Sequence, residues 1–270
     1  MLNELSTLKL FLYFSFLIAP LATGNFFLKK YKKLYIQTHV VSLFCLLLFE
    51  VFMINVFIFA WPLFCVFSCF LLFVESDLKV SVLFLSRIVP LVFSVVSSVW
   101  FVSASLNLEL LGYDIVWSML AAIHGAYIGW LLLAGFSQLQ TIFPKRKAIY
   151  QVGVFLCFFS FMAIALGIDG IPYLKRWGLW SFVSVILTLL SLLYLDMSKK
   201  NFMANFFFFI SVCGLALTIV MAVFHEYTLD VFGEFTNLSS MIYIHGGINS
   251  FVVIPAFLCS VFFLGRDNAV

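Results

Sequence analysis

Nine long apolar stretches, separated by short polar interruptions, dominate this chain of 270 residues. Each stretch is about 20 residues long, which is the length that an α-helix needs to cross a hydrocarbon layer about 30 Å thick. Nine such helices would use roughly two-thirds of the chain and leave about nine residues for each loop or tail. The pattern therefore predicts an all-α, polytopic transmembrane helical bundle.

The amino-acid composition agrees with a membrane protein. Hydrophobic residues make up 64% of the chain and charged residues 10%, whereas soluble domains average about 25% charged residues. The net charge of +3 is too small and too dispersed to indicate binding to nucleic acid. We expect one integral membrane domain over residues 1–270, with the lipid bilayer as its main partner. Hydropathy places its spans at 8–28, 34–52, 56–74, 83–106, 114–136, 148–166, 177–195, 202–224 and 239–264.

Residues 34–74 are the stretch in which the number of spans is hardest to read. About 40 apolar residues in one helix would be about 60 Å long, twice the thickness of the hydrocarbon layer. Glu50, Asn55 and Trp61-Pro62 interrupt the run. We therefore predict two helices that form a tight hairpin, with the turn near Asn55.

Lysine and arginine in the short loops predict the orientation. Basic clusters at 29–33, 145–147 and 199–200 all fall on one side of the membrane if the N-terminus is outside and the C-terminus inside. Acidic residues collect on the other side: Glu109, Asp114, Glu226, Asp230 and Glu234. Lys175 and Arg176 are the exception, on a predicted outer loop. The balance predicts an N-out, C-in protein.

Histidines inside the apolar stretches are the candidate functional residues. His124 lies ten residues into the fifth predicted span, near the middle of the membrane, and shares a helix face with Tyr127. His245 lies about six residues into the ninth span, and Asn249 follows one helical turn deeper. Polar groups at this depth are costly and usually face the bundle interior or a wet cavity. His39, close to the basic cluster, is instead expected to extend towards the headgroups.

Small residues lie beside both deep histidines. Gly125 and Gly129 form a GxxxG pattern, and Gly246-Gly247 follows His245 directly. Small faces let membrane helices approach closely, so we expect both histidines inside the bundle. The alternative is that these glycines serve packing alone, without a binding site.

The predicted outer loop after the eighth span adds further candidate ligands. His225-Glu226 is followed by Asp230 and Glu234. Histidine and carboxylate suit zinc or another divalent ion, and they suit an acid/base pair. The sequence has no HExxH or GxSxG pattern, so it specifies no catalytic class. The alternative interpretation of the loop is solvated charge at a helix end.

Two segments resemble the YndJ-like family of bacterial membrane proteins. The stretch from Leu111-Gly112-Tyr113-Asp114 to Tyr127 is similar to a family segment in which a Gly-aromatic loop leads into a span with an L-T-x-x-H-F-H-x-A-G-F pattern. His124 takes the place of the first histidine, and Gly129 that of the glycine. Ala126 stands in the place of the second histidine, which makes the chain a divergent member.

The second similar segment lies near the C-terminus. Residues 241–251 resemble the family element M-x-x-x-H-G-x-x-N-A-x-G-F, in which His245, Gly246 and Asn249 match and Ser250 replaces alanine. The resemblance implies a polytopic bacterial membrane protein and brings no established activity. The resemblance selects the same residues as their depth in the membrane does: His124, His245 and Asn249.

Four functions are consistent with these observations. The first is a site formed by His124, His245 and Asn249 in the outer half of the bundle, which binds a divalent metal, haem or a small ligand, with His225 and Glu226 at its mouth. The second is a membrane enzyme that acts on a lipid or isoprenoid and uses a histidine as acid/base. The third is a transporter, which the odd number of spans and the absence of a sequence repeat disfavour. The fourth is a structural or assembly subunit.

Overall fold

The computed structural model describes residues 2–168, 171–197, 201–227 and 238–267. Over these residues the chain is all-α, with nine helices that are long and apolar enough to cross a membrane. We number them as spans 1 to 9: Asn3–Phe26, Lys32–Phe52, Asn55–Glu75, Val82–Leu106, Ile115–Ile142, Pro144–Gly167, Tyr173–Asp196, Phe202–Glu226 and Leu238–Arg266. The predicted all-α membrane fold and its nine spans are confirmed.

The long apolar run contains the predicted hairpin. The helix Lys32–Phe52 ends at Met53, whose left-handed backbone (φ 54°) donates its N–H to the carbonyl of Phe49. A 3₁₀ turn, Asn55–Phe59, then leads into the α-helix Ala60–Glu75. The left-handed residue closes the last turn of the first helix, so that the chain reverses next to Asn55 as the sequence predicts.

Span 5 is longer than the sequence predicts, because it continues to Ile142 rather than ending at residue 136. Polar residues after Phe136 lower the hydropathy of this part of the chain. Ser137 and Gln140 are buried, and Gln140 Nε2 donates to the carbonyl of Ser137 over 2.7 Å. A hydrogen bond within one helical turn satisfies an N–H of the amide and lets the helix continue.

The residues form two compact units, 1–134 and 135–270, whose boundary lies within span 5. Unit 1 has an aromatic core. The ring centroid of Phe16 lies 4.0 Å from that of Trp61 and 5.2 Å from that of Phe101. Trp130 Nε1 donates to Thr23 Oγ1 over 2.8 Å and joins span 5 to span 1. The large rings supply the packing area, and the hydrogen bond satisfies the indole N–H.

Spans 4 and 5 pack closely within unit 1, as the GxxxG pattern predicts. A Cβ added at Gly129 would lie 2.3 Å from Phe93 Cγ, and one added at Gly125 would lie 3.1 Å from Ser97 Cβ. Ser97 Oγ also donates to the carbonyl of Ala122 over 2.7 Å. The two glycines thus provide the space that the side chains of span 4 occupy.

Span 4 also has a row of buried serines. Ser94 and Ser98 donate to the carbonyls of Leu91 and Val95, at 2.6 and 2.7 Å, within their own helix. Such local bonds satisfy hydroxyl groups that are removed from water. The buried serines of this helix are Ser86, Ser94, Ser97, Ser98 and Ser103.

In unit 2, spans 6 and 7 form an antiparallel pair. A Cβ at Gly178 would lie 2.7 Å from the backbone nitrogen of Ile164, so the two backbones approach closely. Ser160 Oγ and Ser181 Oγ share a hydrogen bond of 2.8 Å across the pair. At one end, Asp196 accepts from Tyr150 over 3.0 Å and lies 2.9 Å from the Arg146 guanidinium.

Candidate functional site

The two spans that carry the deep histidines depart from regular α-helix. In span 5 the helix Ile115–His124 is followed by a π-helical segment, Gly125–Leu132. Span 9 contains two such segments, Met241–Gly246 and Asn249–Val253. A π turn accommodates an additional residue and is frequent at functional sites. The sequence predicts neither departure, although Pro255, two residues after the last segment, lacks the N–H that an α-helix would use there.

His124 is the last residue of regular helix before the π segment of span 5. Its Nδ1 lies 2.8 Å from the carbonyl oxygen of Leu120, one turn earlier. A carbonyl oxygen only accepts, so Nδ1 carries the hydrogen, and in the neutral ring Nε2 then holds a lone pair. The side chain is exposed. The sequence predicts a ring inside the bundle, whereas the structure leaves this ring accessible.

Tyr127 is buried, with 3% of its surface exposed, and its hydroxyl donates to the carbonyl of Phe11 over 2.7 Å. This bond joins span 5 to span 1 within unit 1, and it removes the hydroxyl hydrogen from ligand contacts. The geometry therefore gives Tyr127 a role in positioning the π segment that begins directly after His124.

His245 and Asn249 belong to one interhelical network in unit 2. His245 Nδ1 lies 3.0 Å from the carbonyl oxygen of Thr218 in span 8, so this nitrogen also carries the hydrogen. Thr218 Oγ1 lies 3.1 Å from Asn249 Oδ1 and 3.1 Å from the carbonyl of Leu215. Its one hydrogen lies between these two acceptors. Thr218 thus connects both predicted site residues, and the sequence analysis missed it because a lone threonine in an apolar span carries no signal.

The two parts of the predicted site lie in different units. His124 and Tyr127 belong to unit 1, and His245 and Asn249 belong to unit 2. The meeting of His124 and His245 in one pocket stays a prediction.

The carboxylate of Glu226 is paired with cations. It forms ion pairs with Lys175 and, at 3.5 Å, with Arg176. Both cations lie in the first turns of the helix Pro172–Asp196 and not on a loop, which corrects their predicted position. Glu226 offsets one of their two positive charges, which reduces their departure from the loop charge pattern. His225 is exposed, while Asp230 and Glu234 lie outside the described residues.

His39 does not extend towards the headgroups as the sequence analysis expects. It is 4% exposed, and its Nε2 donates to the carbonyl of Phe16 over 2.9 Å. The rings of Trp61 and Phe64 lie 6.1 and 5.5 Å from it. The correction has a physical reason, because a carbonyl in span 1 and aromatic rings in span 3 satisfy this imidazole inside unit 1.

Within residues 2–168, 171–197, 201–227 and 238–267, no group of three or more His, Cys, Asp or Glu side chains is arranged to hold a metal ion. Comparison of the chain with known proteins finds no matching family model, no matching curated protein and no matching solved structure.

Proposed function

We propose that this multi-pass membrane protein binds a ligand through His124 of unit 1, and that His245 and Asn249 of unit 2 also belong to its ligand-binding residues. One observation carries the proposal: the Nδ1 atom of each imidazole donates a hydrogen bond to a backbone carbonyl. This arrangement fixes the tautomer and the ring orientation, and it is what histidine ligands use when Nε2 binds a metal or accepts a hydrogen bond. The π segments beside both histidines support the same location.

Two ligand classes share this chemistry, a haem iron and a small molecule with an O–H or N–H donor. A bare divalent ion takes three or four ligands from the protein, whereas haem iron takes one or two axial ligands. A single anchored imidazole, such as that of His124, meets the second requirement. Asn249, held by Thr218, would orient a polar substituent of either ligand. The proposal does not use His225 or Glu226, because Glu226 is engaged by Lys175 and Arg176.

The proposal extends to the family and the location of the protein. We infer a divergent YndJ-like protein of the bacterial cytoplasmic membrane, with the N-terminus outside. The residues that resemble the family (His124, Gly129, His245, Gly246 and Asn249) all lie in the π segments or directly beside them. The ion pairs of Lys175 and Arg176 support the orientation, because Glu226 offsets one of their two positive charges.

The experiment is purification of the full chain in mild detergent, followed by an optical spectrum and by mass spectrometry of the extracted small molecules. A Soret band at about one haem per chain indicates haem, and a stoichiometric organic molecule without it indicates the second class. His124→Gln should remove either ligand, because glutamine has no imidazole nitrogen for iron and does not reproduce the anchored geometry. His225→Gln is the matched control and should retain it. A preparation free of both, or equal retention in the two variants, would refute the proposal.

The exposure of His124 supports a second candidate function. His124 is an exposed residue in a membrane span, where a lipid or isoprenoid substrate diffuses, and its imidazole would act there as a general base. Comparison of membrane lipids from cells that contain the wild-type chain or His124→Gln tests this. An enzyme predicts that one lipid accumulates and another is lost in the variant. Identical lipid profiles would refute the enzyme and leave ligand binding as the one proposed function of His124.

A further inference from the structure

The turn between spans 1 and 2 presents four exposed lysines, Lys29, Lys30, Lys32 and Lys33, which we call the lysine turn. Together with Ile36 and Gln37 these side chains line an open depression of about 580 Å³. The site lies in unit 1 and is separate from the histidines. Four cationic side chains around one concave surface are suited to an anionic group.

The backbone of the lysine turn is held by a carboxylate from span 3. Glu75 accepts hydrogen bonds from the backbone N–H groups of Lys30, at 3.1 Å, and Tyr31, at 3.3 Å. Lys30 Nζ lies 5.3 Å from the centre of the Tyr31 ring. The carboxylate thus fixes the turn through its amides, and the ammonium groups remain available for a ligand.

The four lysines of the lysine turn outnumber the carboxylate of Glu75 that accepts from its backbone. In the part of the chain that the structure describes, none of the four lysines is in an ion pair, and Lys32 donates to a neutral oxygen, Asn25 Oδ1, at 2.6 Å. Lys9 and Arg146, in contrast, have carboxylate partners in Glu50 and Asp196. A compact cluster of like charges is repulsive unless an anion is present.

An apolar surface continues from the lysine turn along span 2. It consists of exposed side chains that follow the turn at helical spacing: Leu34, Val40, Val41, Phe44 and Leu47. A membrane helix presents such a face to acyl chains, and basic side chains at its end reach the phosphate level. The cationic end and the apolar face together match the two parts of one phospholipid.

We propose that the lysine turn and the adjoining face of span 2 bind an anionic phospholipid whose phosphodiester headgroup lacks an ammonium group. The lysines contact the phosphate, and the acyl chains lie along Leu34 and Val41. A zwitterionic lipid offers the same chains but brings a cation to the lysines. The site therefore discriminates between lipids by headgroup charge.

The test is lipid affinity of the purified full chain in detergent, measured by native mass spectrometry with phosphatidylglycerol and phosphatidylcholine of identical chains. We expect phosphatidylglycerol to bind more tightly. Lys30→Gln/Lys33→Gln should weaken that binding about 30-fold, at about fivefold for each lysine near an anionic headgroup. Lys30→Arg/Lys33→Arg should restore it. Lys145→Gln/Lys147→Gln, with the same change of charge at another loop, should leave it unchanged.

Three results would overturn the proposal. Equal affinity for the two lipids would remove the role of headgroup charge. An equal loss in Lys145→Gln/Lys147→Gln would show a general effect of net charge. Binding of soluble glycerol phosphate as tight as that of the lipid would show a site for a free anion. Each variant is first checked for an unchanged elution profile and unfolding midpoint, and Lys30→Arg/Lys33→Arg keeps the test decisive if the glutamine variant does not fold.

Discussion

Replacement of Gly129 by alanine tests whether close packing of spans 4 and 5 stabilises unit 1. The new Cβ would lie 2.3 Å from Phe93 Cγ and 2.7 Å from Phe93 Cβ. Carbon atoms prefer a separation of about 3.5–4.0 Å, so the shortest contact is too close by more than about 1 Å. Because Phe93 Cβ is attached directly to the backbone, rotation of the ring does not relieve the overlap. The helices must move apart or Phe93 must leave its rotamer.

The magnitude follows from two opposing effects. Overpacking costs about 1–3 kcal/mol, and this overlap belongs at the upper end. Alanine in place of glycine favours a helix by up to about 1 kcal/mol. Gly129→Ala should therefore lower the free energy of unfolding by about 2 kcal/mol. Gly265→Ala is the control, because its Cβ meets Ile142 Cδ1 at an ordinary 3.7 Å, and it should be neutral or slightly stabilising.

The assay is reversible unfolding in mixed micelles by titration with sodium dodecyl sulfate, followed by tryptophan fluorescence. A double-mutant cycle with Phe93→Ala isolates the contact. Gly129→Ala should cost much less when Phe93 is alanine, since Cγ and the ring are then absent and only the contact with Cβ at 2.7 Å remains. Equal stability of Gly129→Ala and Gly265→Ala would refute the account of the GxxxG packing.

Further predictions concern the network, the ion pairs and the orientation. Thr218→Val should lower the free energy of unfolding by about 0.6–1.7 kcal/mol in the same titration, and a vibrational shift of the Asn249 carbonyl should accompany it. Since His245 bonds the backbone of Thr218, its Nδ1 resonance should stay unchanged. Glu226→Gln should cost about 1–2 kcal/mol, because its cationic partners keep part of their solvent contact, and added salt should reduce the difference from wild type. A C-terminal green fluorescent protein fusion should fluoresce and an alkaline phosphatase fusion should be inactive, whereas the reverse would refute the N-out, C-in orientation.

The spans are predictable from the sequence because membrane length is a strong constraint. A helix near Asn55 has to end where about 20 apolar residues have been used, and the structure ends it at Phe52. The end of span 5 is not predictable in this way. Hydropathy counts Gln140 as polar, while the helix satisfies its amide N–H through Ser137. Local hydrogen bonds of this kind are invisible to a sum over residue types.

The candidate site is predictable in part. Membrane depth selects His124, His245 and Asn249, and the structure gives both histidines a bond to a backbone carbonyl. Thr218 was not predictable, since its role depends on which face of span 8 meets span 9. The π segments were not predictable either, because they depend on tertiary packing over several residues. For the segment in span 5 we have no account from the sequence.

The serine row of span 4 changes how its polar character should be read. A line of hydroxyl groups through an apolar helix suggests a conduit for water or ions. Here Ser94 and Ser98 donate hydrogen bonds to carbonyls of the preceding turn, and Ser97 donates one to the carbonyl of Ala122 in span 5. Each hydroxyl is thereby satisfied by a backbone carbonyl, and the serine takes up little more space than an alanine. A count of polar side chains alone would indicate a permeation pathway, whereas these serines allow spans 4 and 5 to pack closely.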